Sequence, residues 1–284
     1  MKPILVHAHV FYPELWQELK QCISNIRPYP FDLFVTMVED HKEVIEDIRN
    51  HFLGARVEII ENRGYDVAPF LYVLNEVDLD QYDYIVKVHT KRDVRDERSV
   101  FRGLRGSLWR ESLLSFLNTP ERFKSYLEAF EKSPKIGMQN SYKLIVKHDV
   151  RDRLAQKRKK KFLKDRGLPV LKDQFIAGTM FFVRASIFKD IKDLNIPLEA
   201  FDTKSDHETQ LAHVFERLFG YFVYKNDFII IDGVEHRWMQ FKGHVGFCLN
   251  RLFCFFYQKK RTKSGKIIVK VCKIPVFSKR IDNV

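Results

Sequence analysis

The chain has 284 residues, long enough for one large core with an appendage, and its 45% hydrophobic and 30% charged residues suit a globular protein. A net charge of +12 asks for an anionic partner: nucleic acid, anionic lipid or a phosphate-bearing substrate. Cys22, Cys248, Cys254 and Cys272 show no C-x-x-C pair and no metal-ligand spacing, the opening MKPILVHAHVFY is too short and too interrupted by histidine for a signal peptide, and no run nears the roughly 18 apolar residues of a spanning helix, so a cytoplasmic protein is expected.

In chain order, residues 3–10 form a short apolar run that predicts a buried strand, and Leu15, Leu19, Cys22, Ile23 and Ile26 mark a helix over residues 14–26. FDLFVTMV at residues 31–38 predicts a second strand. A second helix follows over 42–52, with Val44, Ile45, Ile48 and Phe52 inward, and a third strand over 56–61. A helix over 67–77 and a fourth strand at YIVKVH, residues 84–89, complete a β-α-β-α-β-α-β order. That order predicts an α/β, Rossmann-like domain with a mainly parallel sheet flanked by helices, in which ligands lie beyond the carboxyl ends of the strands. Further helices are expected over 109–117, 120–132 and 206–219, a buried strand over 174–184 (QFIAGTMFFVR), and a small strand or hairpin over 266–275.

The positive charge is concentrated in two places. Residues 151–166 carry nine basic and two acidic side chains, in an exposed loop or helix, and residues 258–280 carry nine basic and none acidic. These two segments hold more than the whole net charge, so the rest of the chain is slightly acidic. A nucleic-acid-binding module would use both segments, but helix-turn-helix, zinc-finger and RNA-binding aromatic signatures are lacking, and no nucleic-acid partner is expected. The aromatic run at Phe247–Tyr257 leading into Lys259, Lys260 and Arg261 has the pattern of an interfacial anchor, or else of a core helix with a solvated tail. The expected division is therefore a domain over 1–245 and an aromatic, polybasic tail over 246–284. That tail would place the chain peripherally on an anionic membrane surface.

Polar residues crowd the predicted strand exits. Asn62, Arg63, Gly64 and Asp66 bring an amide, a guanidinium, a flexible turn and a carboxylate to the exit of the third strand, just before a helix N-terminus that favours an anion. A capped turn is the plainer alternative. At the exit of the fourth strand, Lys87 and His89 share a side by alternation and Lys91 follows; a lysine inside an apolar run needs an anion or the surface. Such a basic cluster can neutralise a leaving diphosphate, or it is a solvated strand end. Arg102, Arg105 and Arg110 suit phosphate, whereas Trp109 suits the core. Gly178 and Thr179, within the strand expected over 174–184, suggest close approach of a ligand, here on the acceptor side. Asp206 and Glu208, at the start of the last helix, are either N-terminal caps or a general base. Glu216 and Arg217 further along it suit a structural ion pair.

HAHVFYPELW, NRGYDVAPFL, YDYIVKVHTK, the segment ending in Trp109-Arg110 and AGTMFFVRA, in that order over residues 4–237, resemble the rhamnan synthesis protein F family of bacterial cell-surface polysaccharide assembly. The resemblance implies a GT-A-type, inverting glycosyltransferase that takes a nucleotide sugar, with rhamnose suggested, and adds it to a growing glycan or lipid-linked glycan. The NRGYD segment would approach the donor, and Asp206 or Glu208 would be the base. Where related enzymes carry an Asp-x-Asp metal motif, His89 and Lys91 stand here, which puts a requirement for Mg or Mn in doubt. A non-catalytic membrane-associated scaffold on the same fold is the alternative.

Overall fold

The computed structural model describes residues 1–92, 107–147, 153–203 and 211–232, together with the backbone course of three strands at 257–261, 266–271 and 274–280. Its elements are β1 (Ile4–Val10), α1 (Trp16–Ser24), β2 (Phe31–Met37), α2 (Lys42–His51), β3 (Arg56–Ile59), α3 (Val67–Glu76), β4 (Tyr84–His89), α4 (Ser107–Leu113), α5 (Pro120–Lys132), β5 (Ile136–Gln139), β6 (Ile145–Lys147), α6 (Arg153–Asp165), β7 (Gln174–Ile176), β8 (Phe181–Arg184), α7 (Lys189–Lys192), α8 (Leu211–Lys225), β9 (Ile229–Ile231), β10 (Tyr257–Arg261), β11 (Lys266–Val271) and β12 (Ile274–Arg280).

Seven strands form the main sheet in the order β3-β2-β1-β4-β8-β5-β9. β3, β2, β1 and β4 run parallel, β8 lies antiparallel between β4 and β5, and β9 pairs parallel with β5. Every residue of β1 and β4 is buried, as central strands covered on both faces require. The edges β3 and β9 are only half-buried. One face packs Tyr84 and Phe182 against Phe123 and Phe130 of α5, with ring centroids 4.9–5.1 Å apart in three of these pairs. The other face meets α3 and α8, where Phe70, Phe181, Phe188 and Phe219 stack mostly edge to face at 5.6–6.0 Å. The helix boundaries have local causes. Thr119 caps α5 by accepting from the Arg122 amide, with Pro120 in the first turn.

The strand expected over 174–184 is two strands. β7 pairs with β6 in a separate two-stranded sheet, whereas β8 enters the main sheet. Between them Gly178 (φ +84°) and Thr179 (φ +53°) take left-handed backbone, which a strand cannot continue through. The basic stretch expected as a loop or helix is the helix α6, which packs Phe162 on Phe215 of α8.

The chain divides into two units, one of residues 1–92 and 110–234, the other of residues 93–109 and 235–284. In the second, β10, β11 and β12 form an antiparallel meander, with a register irregularity at Val269/Lys270. Lys259, Lys260 and Arg261 thus belong to a strand. The anchor expected over Phe247–Tyr257 lies outside the described residues, apart from Tyr257 at the start of β10. Among the described residues no helix is long and apolar enough to cross a membrane.

Candidate functional site

Strand order reverses direction between β1 and β4, the point at which an open α/β sheet leaves a crevice beyond its carboxyl ends. At that point His9 pairs in register with His89 and His7 with Lys87, so all four fall on the face covered by α3 and α8. The Thr90 amide donates to the His9 carbonyl (3.0 Å), and the Thr90 hydroxyl accepts from the amides of Phe11 and Tyr12, which closes the edge.

Asp66 is the focus of this crevice. Its Oδ2 accepts from the Lys87 ammonium (2.5 Å) and from the Thr179 hydroxyl, and it lies 3.4 Å from His89 Nδ1. Lys87 is fully buried and also donates to the Thr179 carbonyl (2.9 Å). Its ammonium lies 5.5 Å from the Phe70 ring and 5.9 Å from the Phe181 ring, a cation held in an aromatic cradle. The Asp66 side chain is 16% exposed and so forms the open end of the pair. Burial alone would raise its pKa, but the His89 ring, the Lys87 ammonium and the hydrogen bonds from Lys87 and Thr179 outweigh this and hold the carboxyl well below the usual range. Burial pushes Lys87 below the ordinary lysine value, with Asp66 opposing the shift.

Behind this pair the histidines are neutral bases. His7 Nε2 (2.9 Å) and His9 Nδ1 (3.0 Å) share the buried Thr36 hydroxyl. A hydroxyl has one proton and two lone pairs, so at most one ring accepts from Thr36 and at least one donates to it. Burial first, then the Lys87 charge, pushes His7 well below 6.5, and burial brings His9 to about 4 against the opposing pull of Asp66. Burial likewise takes His89 well below 6.5. His7 Nδ1 and His89 Nδ1 are buried without a hydrogen-bond partner among the described residues.

Two strained turns aim the groups at one another. Gly64 (φ +57°) and Tyr65 (φ +56°) precede Asp66, and Gly178 and Thr179 form the matching pair across the crevice. A β-branched residue at positive φ costs about 1–3 kcal/mol and persists only where its surroundings over-determine it. Thr179 is held by its hydroxyl on Asp66 and its carbonyl on Lys87, while the Gly178 amide donates to Glu216 of α8 (2.9 Å). At Gly64 a Cβ would meet the Phe201 ring at 2.6 Å and Ala68 Cβ at 2.7 Å, so the close approach of chain to ring requires glycine.

Of the residues singled out in the sequence, Asp66, Lys87, His89 and Thr179 come together, and Gly64 and Gly178 shape their turns. Arg63 is engaged by Glu61 (2.7 Å) and the Phe201 carbonyl (2.9 Å), and Asn62 is exposed. Lys91 follows β4 and adds its charge to the field on Lys87 and His89. Arg110 bonds Glu18 of α1 (3.0 Å). Glu216 and Arg217 stand 3.4 Å apart on α8, as an ion pair. Asp206, Glu208, Arg102 and Arg105 lie outside the described residues. The sequence reading missed His7, His9 and Thr36. The spacing of His7 and His9 puts both on one face of a buried strand, and that was the available signal.

Among the described residues no group of three or more His, Cys, Asp or Glu side chains converges in a way that could hold a metal ion, and the Asp66 carboxylate is matched by the buried Lys87 ammonium.

These features define a Rossmann-like α/β protein with an ionised aspartate clamped at the switch point of its sheet. The rhamnan synthesis protein F family matches residues 1–228, and the chain belongs to that family. Two relatives named uncharacterized protein WxcX, from Xanthomonas campestris pv. campestris strains B100 and ATCC 33913, are each 26% identical over 225 residues, covering 76% of this chain and 30% of the relative. The chain thus spans about 30% of the length of these curated relatives. Among solved structures, S. aureus TarS 1-349 in complex with UDP-GlcNAc is 13% identical with a TM-score of 0.42, covering 81% of this chain and 56% of that one. Glucosyl-3-phosphoglycerate synthase from Mycobacterium tuberculosis, in complex with Mn2+, UDP and glucosyl-3-phosphoglycerate, is 10% identical with a TM-score of 0.36, covering 98% and 90%. Likeness at these scores is loose and says nothing of what this chain binds.

Proposed function

We propose that this chain is a GT-A-type glycosyltransferase, moving a sugar from a nucleotide-sugar donor to a growing cell-surface polysaccharide or lipid-linked glycan. Rhamnose is the sugar that the family's description suggests. The observation that carries the reading is the Asp66 carboxylate, held ionised at the β1/β4 switch point of a chain in this family. Its Oδ2 is taken by Lys87 and Thr179, which leaves Oδ1 to accept from a ribose or sugar hydroxyl of the donor. Lys87 therefore acts by fixing Asp66. Charge for the departing diphosphate comes from Lys91, joined by the half-buried Arg63 and Arg110, and the exposed Asn62 adds an amide. An acceptor hydroxyl attacks the anomeric carbon as the bond to the diphosphate breaks. The acceptor proton goes to Asp206 or Glu208, giving inversion.

The reading is tested by incubating the chain with a panel of UDP-, dTDP- and GDP-sugars, with and without Mg2+ or Mn2+, and following release of nucleoside diphosphate. At least one donor is turned over, faster with a glycan acceptor present. Absence of both binding and turnover across the panel contradicts glycosyl transfer.

A further inference from the structure

The α6 helix presents a largely uncompensated cationic stripe, in which one lysine of four has a carboxylate partner. Lys157, Lys160, Lys161 and Lys164 are exposed and fall within about a third of the helix circumference. Ala155, Lys159 and Leu163 are buried on the opposite side. The cations of this segment fall into two sets. Lys159 is turned inward onto Asp173, Lys161 bonds Asp165 (2.6 Å), and Arg166 lies over the Phe162 ring at 3.8 Å. Lys157, Arg158, Lys160 and Lys164 have no carboxylate partner among the described residues. Like charges three and four residues apart repel, and the first turn has no acidic residue to complement the helix dipole. The helix forms because its inner face packs on α8, while its outer face favours an anionic partner.

We propose that this stripe of α6 is a docking surface for the phosphate groups of an anionic lipid bilayer. From Lys157 to Lys164 the stripe runs seven residues, about 10 Å along the helix axis, and so presents its cations as a compact row suited to a flat array of negative charge. Leu154, 50% exposed within α6 and one turn before Lys157 and Arg158, sets an apolar side chain beside the stripe, as interfacial surfaces do. A single-stranded nucleic acid would want exposed aromatic faces for stacking. The one ring here, Phe162, is covered by Arg166 and Phe215. Docking on this surface does not depend on glycosyl transfer.

The test is co-sedimentation of the full chain with phosphatidylcholine vesicles, with and without phosphatidylglycerol. Binding to the anionic vesicles is expected, weakening as salt is raised. Changing Lys157, Lys160, Lys161 and Lys164 together to Gln lowers the partition coefficient by about tenfold or more, at roughly a few-fold per lysine, with an unchanged melting temperature. Changing the same four to Arg preserves binding, which separates charge from fold. Equal binding by the Gln variant overturns the proposal and directs attention to the cations of residues 258–280. So does preferential binding to duplex DNA with no vesicle binding.

Discussion

Lys87 and the outer lysines of α6 place the same side chain in opposite settings. Lys87 is fully buried, and its ammonium is matched by the Asp66 carboxylate, a backbone carbonyl and two aromatic faces. Lys157, Lys160 and Lys164 are exposed and unmatched among the described residues, since water solvates them. Lys159 shows that position in the fold decides between the two, for it belongs to α6 yet is buried and paired with Asp173. A charge removed from water must bring its partner with it, whereas an exposed one is left free for another molecule. The crevice is therefore rigid and pre-organised, and the helix surface is adaptable.

The contrast is broken most strongly at the buried end. Lys87→Met strands the Asp66 carboxylate and is expected to destabilise the protein by about 3–5 kcal/mol in urea unfolding. Loss of under 1 kcal/mol would mean that the pair is not coupled.

Acid comes next. His9 titrates near 4 when folded and near 6.5 when unfolded, so its neutral form stabilises the fold fully above 6.5. That contribution is lost as pH falls through the window toward 4, by about 3 kcal/mol for this residue. Melting temperature should fall steeply from pH 6.5 to 4, and His9→Gln should flatten the dependence.

Gly64→Ala adds a Cβ against Phe201 at a left-handed position, for about 2 kcal/mol or more of destabilisation measured by thermal unfolding. The smallest effect sharpens the other side of the comparison. Lys160→Gln on α6 should leave unfolding stability within about 0.5 kcal/mol, because no contact is lost.

The layout of the parallel half was legible in the sequence because apolar periodicity and turn residues mark each element there, and β4 and α5 fall where that pattern puts them. The run 174–184 was misread because a continuous apolar stretch does not show where the backbone reverses; Gly178 was its only mark. For the site, local signals identified Asp66 and Lys87 separately, but their pairing spans 21 residues and depends on α3 crossing the sheet. His7 and His9 were passed over for a related reason. Only the order β2-β1-β4 brings them beside Thr36, Lys87 and His89. Sequence spacing shows which face a side chain takes, whereas sheet order decides what it meets.

The central claim is that Asp66, clamped by Lys87 and Thr179, holds the donor. It is tested most directly by calorimetric titration of a nucleotide sugar into the wild-type chain and into the double variant Asp66→Asn/Lys87→Met, which removes both charges and so avoids a stranded ion. The account predicts that the double variant stays folded, with a cooperative melt, and binds the donor at least about tenfold more weakly. A folded double variant that binds as tightly as the wild type would contradict it.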